Sequence, residues 1–201
     1  MSPTVYQAFE RIFEDFDISG PVLEVGAVSG PESLLALRGL KNANPKIGIN
    51  LDEEITSADR TLIQCNGNDM SRFETGYFNA VVCNSTLEHD IYFWKTIKEI
   101  HRVTAPGGLI VIGVPGYAEM GLNTFAGGNK IVKRVLRLWS KLSNSTVLAA
   151  GSVTLGIHNY PGDYYRFSEQ AIREVFLEGL TQCKVIRVMN PPRFIGVGVK
   201  P

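Results

Sequence analysis

Apolar residues recur along this chain at two different spacings. Val5, Phe9, Ile12, Phe13 and Phe16 fall three or four apart and predict an amphipathic helix over residues 4–16. Short apolar runs follow at PVLEVG (21–26), KIGIN (46–50), TLIQC (61–65), YFNAVVCN (77–84) and LIVIGVP (109–115), and each reads as a buried strand. Gly30-Pro31-Glu32-Ser33 predicts the opening of a helix after the first strand. Pro31 suits the first helical position, where no backbone donor is needed, and Glu32 suits the positive helix end. DIYFWKTIKEIHRV (90–103) predicts another helix, stopped by Pro106-Gly107-Gly108. Near the end, KVIRVM and RFIGVGV flank Asn190-Pro191-Pro192 and predict an antiparallel hairpin at one sheet edge.

Strands alternating with helices through short turns imply a doubly wound α/β fold with a mostly parallel, seven-stranded, Rossmann-like sheet. The C-terminal hairpin adds its antiparallel strand. Residues 116–157 break the alternation. A glycine-rich start, the basic helix NKIVKRVLRLWSKL and a small-residue stretch read as a helical insertion after strand five. Five basic residues (Lys130, Lys133, Arg134, Arg137, Lys141) stand opposite Ile131, Val135, Leu138 and Leu142. Such a helix can touch anionic membranes or acidic substrates, or form a homodimer contact, but a lid over the strand ends is the favoured reading. The organisation expected is one domain over 1–201, with an N-terminal helix in 1–19 and the insertion at 116–157.

Composition narrows the function. The 201 residues are 44% hydrophobic, enough for one sizeable core. Lysine plus arginine equals aspartate plus glutamate at 20 each, so the overall field does not point to nucleic acid. Cys65, Cys83 and Cys183 lack CxxC spacing and suggest a reduced interior rather than a zinc site. The charged N-terminus is unlike a signal peptide, and no apolar run would span a membrane, so the expected location is cytoplasmic.

In an open α/β sheet, ligands sit beyond the carboxyl ends of the strands. After the first strand stand Glu24, Gly26, Ala27, Val28, Ser29 and Gly30. A dinucleotide loop would need glycine at 26, 28 and 31, where the chain has glycine, valine and proline, so NAD and FAD are disfavoured. Glu24, Gly26 and Gly30 instead fit E/D-x-G-x-G-x-G, with Val28 as the departure. KIGINLDE, NGNDMSRF, YFNAVVCNSTLEH and EIHRVTAPGGLIVIGVP follow in order, and HNYPGDYYRFSEQAIREVF (158–176) adds a later echo. In this succession the chain resembles the class I S-adenosylmethionine-dependent methyltransferases of the type 11 kind, best over residues 20–116.

The resemblance implies S-adenosyl-L-methionine as cofactor. It would be held by Glu24, Gly26, Ala27 and Gly30, by Asn50 or Asp52 at the ribose hydroxyls, by Asp69 and Met70 at the adenine, and by Asn84 after strand four. Val28 should keep a negative φ and border the methionine end, since valine tolerates positive φ poorly. A hydroxyl acceptor would need a base, for which His89 and His158 are candidates; His101 reads as structural. Tyr164, Tyr165 and Arg166 are candidate acceptor contacts, Arg166 through a bidentate bond to an acidic group. Glu88-His89-Asp90 with Asp163 invites a metal reading, but adjacent residues on one turn diverge, so no metal is expected. The function implied is methyl transfer to a small molecule, with an oxygen acceptor favoured. The alternatives are a macromolecule modifier and a non-catalytic binding module.

Overall fold

The central apolar runs, PVLEVG, YFNAVVCN and LIVIGVP, become strands buried on both faces, as parallel strands flanked by helices must be, and the runs nearer the sheet edges are partly exposed. A computed structural model describes residues 1–51, 55–56, 60–120, 130–142, 151–156 and 162–201. Its main sheet contains β1 (Gly20–Val25), β2 (Ala43–Asn50), β3 (Ile55–Thr56), β4 (Thr61–Gln64), β5 (Phe78–Asn84), β6 (Thr104–Pro115), β9 (Thr181–Val188) and β10 (Arg193–Val199). The spatial order is β3-β4-β2-β1-β5-β6-β10-β9. Strands β4, β2, β1, β5 and β6 run parallel, and β10 is antiparallel to both β6 and β9. The seven expected strands are present, and the two-residue β3 adds an eighth at the edge.

The alternation along β1 divides the core between the two faces of the sheet. Val22 packs with Phe9 and Phe13 of helix α1 (Pro3–Glu14), while Leu23 and Val25 pack with Ile97 and Ile100 of α2 (Phe93–Val103). Ser2 caps α1 by accepting from the Val5 amide, ahead of Pro3 in the first turn.

The helix expected after Gly30 is absent. Two tight 3-10 turns, Leu34–Ala36 and Arg38–Leu40, replace it, separated by Leu37 in an extended conformation (ψ 137°). Leu34, Leu35, Leu37 and Leu40 are all buried, a spacing that no single helical face could present. The expected role of Glu32 also changes: it is exposed and pairs with the N-terminal ammonium at 2.8 Å.

The order of strands reverses at β1. The chain leaves β1 toward β2 and β4, then returns to β5 on the other side. The carboxyl ends of β1 and β5 therefore border the crevice where such sheets bind ligands. The insertion begins on the same side of the sheet, at Pro115. It opens and closes with a small hairpin, β7 (Tyr117–Met120) against β8 (Gly151–Thr154), and carries helix α3 (Lys130–Leu142) between them. A short helical segment, α4 (Glu169–Ala171), widens over Ile172–Phe176 and packs Phe176 into the α2 face. Among the described residues, no helix is long and apolar enough to cross a membrane.

Candidate active site at the carboxyl ends of the strands

Gly26 leaves β1 at φ +78°, and its amide and that of Ala27 both donate to the Ile49 carbonyl. A Cβ at Gly26 would lie 2.0 Å from the Thr86 hydroxyl, so glycine serves both the turn and the close approach of the β5 exit. Val28 is 46% exposed and is not among the residues with positive φ, so the loop accepts valine in an ordinary backbone region. Gly30 faces open space.

Glu24 is buried below this loop. It accepts from the Ser33 hydroxyl at 2.5 Å and from the amides of Leu34 and Leu35. Burial pushes its carboxyl above the usual range, and these three donors oppose that shift. It therefore fixes the far end of the loop from inside the protein.

Asn50 ends β2 and braces the near end. Its amide donates to the Ala27 carbonyl at 2.7 Å, and its side-chain oxygen accepts from the Leu51 amide. An aspartate could not make the first bond, which explains an amide at a position expected to be acidic. Asp52 lies outside the described residues.

After β4, Asp69 is exposed, and the Ser71 amide and hydroxyl hold its carboxyl below the usual range. It is an ionised acceptor at neutral pH. Met70 differs from the expectation: it is fully buried, so its side chain supports the loop from the core instead of facing the crevice. Its amide donates to Glu99, and Arg102 grips the same loop through the carbonyls of Met70 and Phe73.

The β5 exit is the most elaborate part of the site. Ser85 takes φ +56° while donating its amide to the Gly113 carbonyl. Arg193, the first residue of β10, donates to the Ser85 hydroxyl at 2.7 Å and reaches the Asn84 oxygen at 3.4 Å. Glu88 is completely buried; among the described residues neither carboxylate oxygen has a hydrogen-bond partner, and Arg193 lies 3.7 Å away. Burial raises the Glu88 carboxyl above its usual range, against the attraction of Arg193.

His89 follows, with Nδ1 against the Gly162 carbonyl. A carbonyl only accepts, so a neutral ring carries its proton on Nδ1 and its basic lone pair on Nε2. His158 lies outside the described residues. Asp90 binds Asn68 and Thr96, joining the β4 and β5 exits. Among the described residues, no three His, Cys, Asp or Glu side chains gather as a metal site.

The substrate candidates separate. Tyr165 donates its hydroxyl to the Ile91 carbonyl and packs edge-on against Phe93, which makes it a packing residue. Arg166 corrects the expectation of a free bidentate contact: both terminal nitrogens are already paired with the two oxygens of Asp163. Tyr164 is exposed. The residues that the sequence did not single out are Arg193, Ser85 and Asn68, none of which carries a local signal.

A methyltransferase domain model matches residues 23–112. These residues resemble a methyltransferase domain, and the sheet that carries them has the class I methyltransferase fold. Several solved structures share its fold. A phosphoethanolamine N-methyltransferase of Haemonchus contortus, with phosphomonomethylethanolamine and S-adenosylhomocysteine, aligns at TM-score 0.64 and 14% identity over 100% of this chain and 53% of that one. This chain thus spans about half that protein's length. A Haloferax volcanii structure containing the Trm112 methyltransferase activator aligns at 0.63 and 16% over 98% and 90%. A 1,6-didemethyltoxoflavin-N1-methyltransferase of Burkholderia thailandensis aligns at 0.62 and 13% over 98% and 78%. No curated protein sequence matches the chain.

Proposed function

We propose that the chain transfers a methyl group to a small-molecule acceptor, with a hydroxyl oxygen as the attacking atom. The observation that carries this reading is His89, set at the β5 exit with its Nδ1 against the Gly162 carbonyl. The methyltransferase domain supports the reaction class. The bound cofactor supplies an electrophilic methyl on a sulfonium sulfur.

The surrounding residues fit that cofactor. The Gly26–Gly30 loop carries glycine at both ends, with open space at Gly30, and the exposed Asp69 carboxylate offers an acceptor for an amino group. Asn50 keeps one lone pair for a ribose hydroxyl beyond its bond from Leu51. Glu24 and Asn84 act from behind, one fixing the loop and the other the β5 exit. The chain's own part in catalysis is alignment, water exclusion and removal of the acceptor proton by His89 Nε2. Tyr164 is the exposed aromatic nearest in sequence to the Gly162 carbonyl that orients His89, and it is the proposed acceptor contact.

Calorimetric titration with S-adenosylmethionine, followed by transfer of labelled methyl to a panel of small alcohols, phenols and amines, tests the reading. Micromolar binding is expected, with label moving to hydroxyl acceptors. His89→Ala should retain binding and lose at least about 100-fold in turnover. Absence of binding would overturn the enzymatic reading, and label on amines alone would overturn the oxygen acceptor. An unimpaired His89→Ala would remove the base.

A further inference from the structure

Among the described helices, α3 is divided more sharply than α1 or α2. Plotted at about 100° per residue, Ile131, Val135, Leu138 and Leu142 form one line with Val132 and Trp139 beside it, and all five basic residues fall on the opposite half. The helix contains no acidic residue. In a soluble domain, the apolar line of such a helix is ordinarily turned toward the core. Here it is turned outward: Val135 is 58% exposed, Leu138 55% and Leu142 84%. A lid closed over the strand ends would cover this line.

Charge selects the occupant. The whole chain is neutral, so five positive charges on 13 residues are a local concentration. A second copy of the chain would bring the same positive helix against this one, which is unfavourable for a dimer built here. A surface that is apolar below and anionic above complements both halves of the helix at once, with the exposed Trp139 at the boundary. Short basic helices of this kind lie in the headgroup plane without spanning it.

We propose that α3 docks the protein onto anionic lipid bilayers, its apolar line entering the headgroup region and its basic half meeting lipid phosphates. Docking uses the insertion only and leaves the main sheet unchanged.

Sedimentation of the full chain with vesicles tests this. The protein should pellet with vesicles of equal parts phosphatidylcholine and phosphatidylglycerol and remain in solution with phosphatidylcholine alone. Val135→Asp with Leu142→Asp should abolish pelleting while leaving the thermal melt unchanged, because both side chains are exposed. Replacing Lys130, Arg134 and Lys141 by glutamine should weaken partitioning about fivefold per charge removed. Equal binding to both vesicle types, or to neither, would overturn the proposal. So would a lipid-free dimer in analytical ultracentrifugation that Val135→Asp dissociates, since the apolar line would then belong to a second copy.

Discussion

Gly26 is held by two independent constraints, and they can be separated. A side chain there must adopt a left-handed backbone, which costs about 1–2 kcal/mol, and must also displace Thr86, whose hydroxyl stands 2.0 Å from the position of its Cβ. Gly26→Ala should therefore lose more stability in urea than the backbone term alone. Adding Thr86→Gly should recover the steric part and leave about 1–2 kcal/mol. A double variant no better than Gly26→Ala alone would place the whole cost in the backbone. Val28 shows the same logic from the other side. Its φ is not left-handed and its side chain is exposed, so the middle of the loop has no need of glycine. The departure from the glycine-rich pattern is thus compatible with a formed loop.

Among the elements, α2 and the loop after β4 are fastened by a compact ion pair. Arg102 donates to both oxygens of Glu99, Glu99 accepts from the Met70 amide, and Arg102 also reaches the Met70 and Phe73 carbonyls. The Arg102 bonds hold the Glu99 carboxyl below its ordinary value of 4.5. A depressed folded value means that this contribution is complete above the ordinary value and is lost as pH falls through the folded one. Relative to the wild type, Glu99→Gln should be less stable at neutral pH, and the gap should narrow on acidification. A gap independent of pH in urea titrations would show that the charge is not responsible. The sequence made this architecture legible where the pattern was local. The strands announce themselves because parallel strands buried on both faces become plain apolar runs, and α1 and α2 because their apolar positions recur at helical spacing. The segment after β1 did not, because its leucines are placed by the Glu24 carboxylate and by Gly39 pressing on the Phe13 backbone. Both are tertiary contacts with no trace in local spacing. The site divides in the same way. Gly26, Asn50 and Asp69 stand where strand ends put them, whereas Met70 turns inward and Arg166 is taken by Asp163.

Over the whole molecule, the reversal of one strand completes the site. Parallel strands deliver their last residues to the crevice, but β10 is antiparallel and delivers its first. Arg193 pairs in register with Pro115, the end of β6, and so reaches Ser85 across the sheet. It also faces Glu88, whose buried carboxylate lies 3.7 Å away and has no hydrogen-bond partner among the described residues. Removing one member of a buried pair strands the other, at about 3–5 kcal/mol, whereas replacing both by apolar residues of similar size is near neutral. Arg193→Met should accordingly be strongly destabilised, and Glu88→Met with Arg193→Met should recover most of the loss in guanidinium unfolding. The residual deficit should be that of the Ser85 bond, about 1 kcal/mol. The pH dependence provides a second reading. Burial already raises the Glu88 carboxyl, and removing Arg193 takes away the largest influence that opposes that shift. A raised folded value favours the folded state at low pH and loses that advantage as pH rises through it. The deficit of Arg193→Met should therefore shrink between neutral and mildly acidic pH, and the double variant should show no such trend. Additive losses in the two single variants, with a flat pH profile, would mean that Arg193 serves the β5 exit through Ser85 alone.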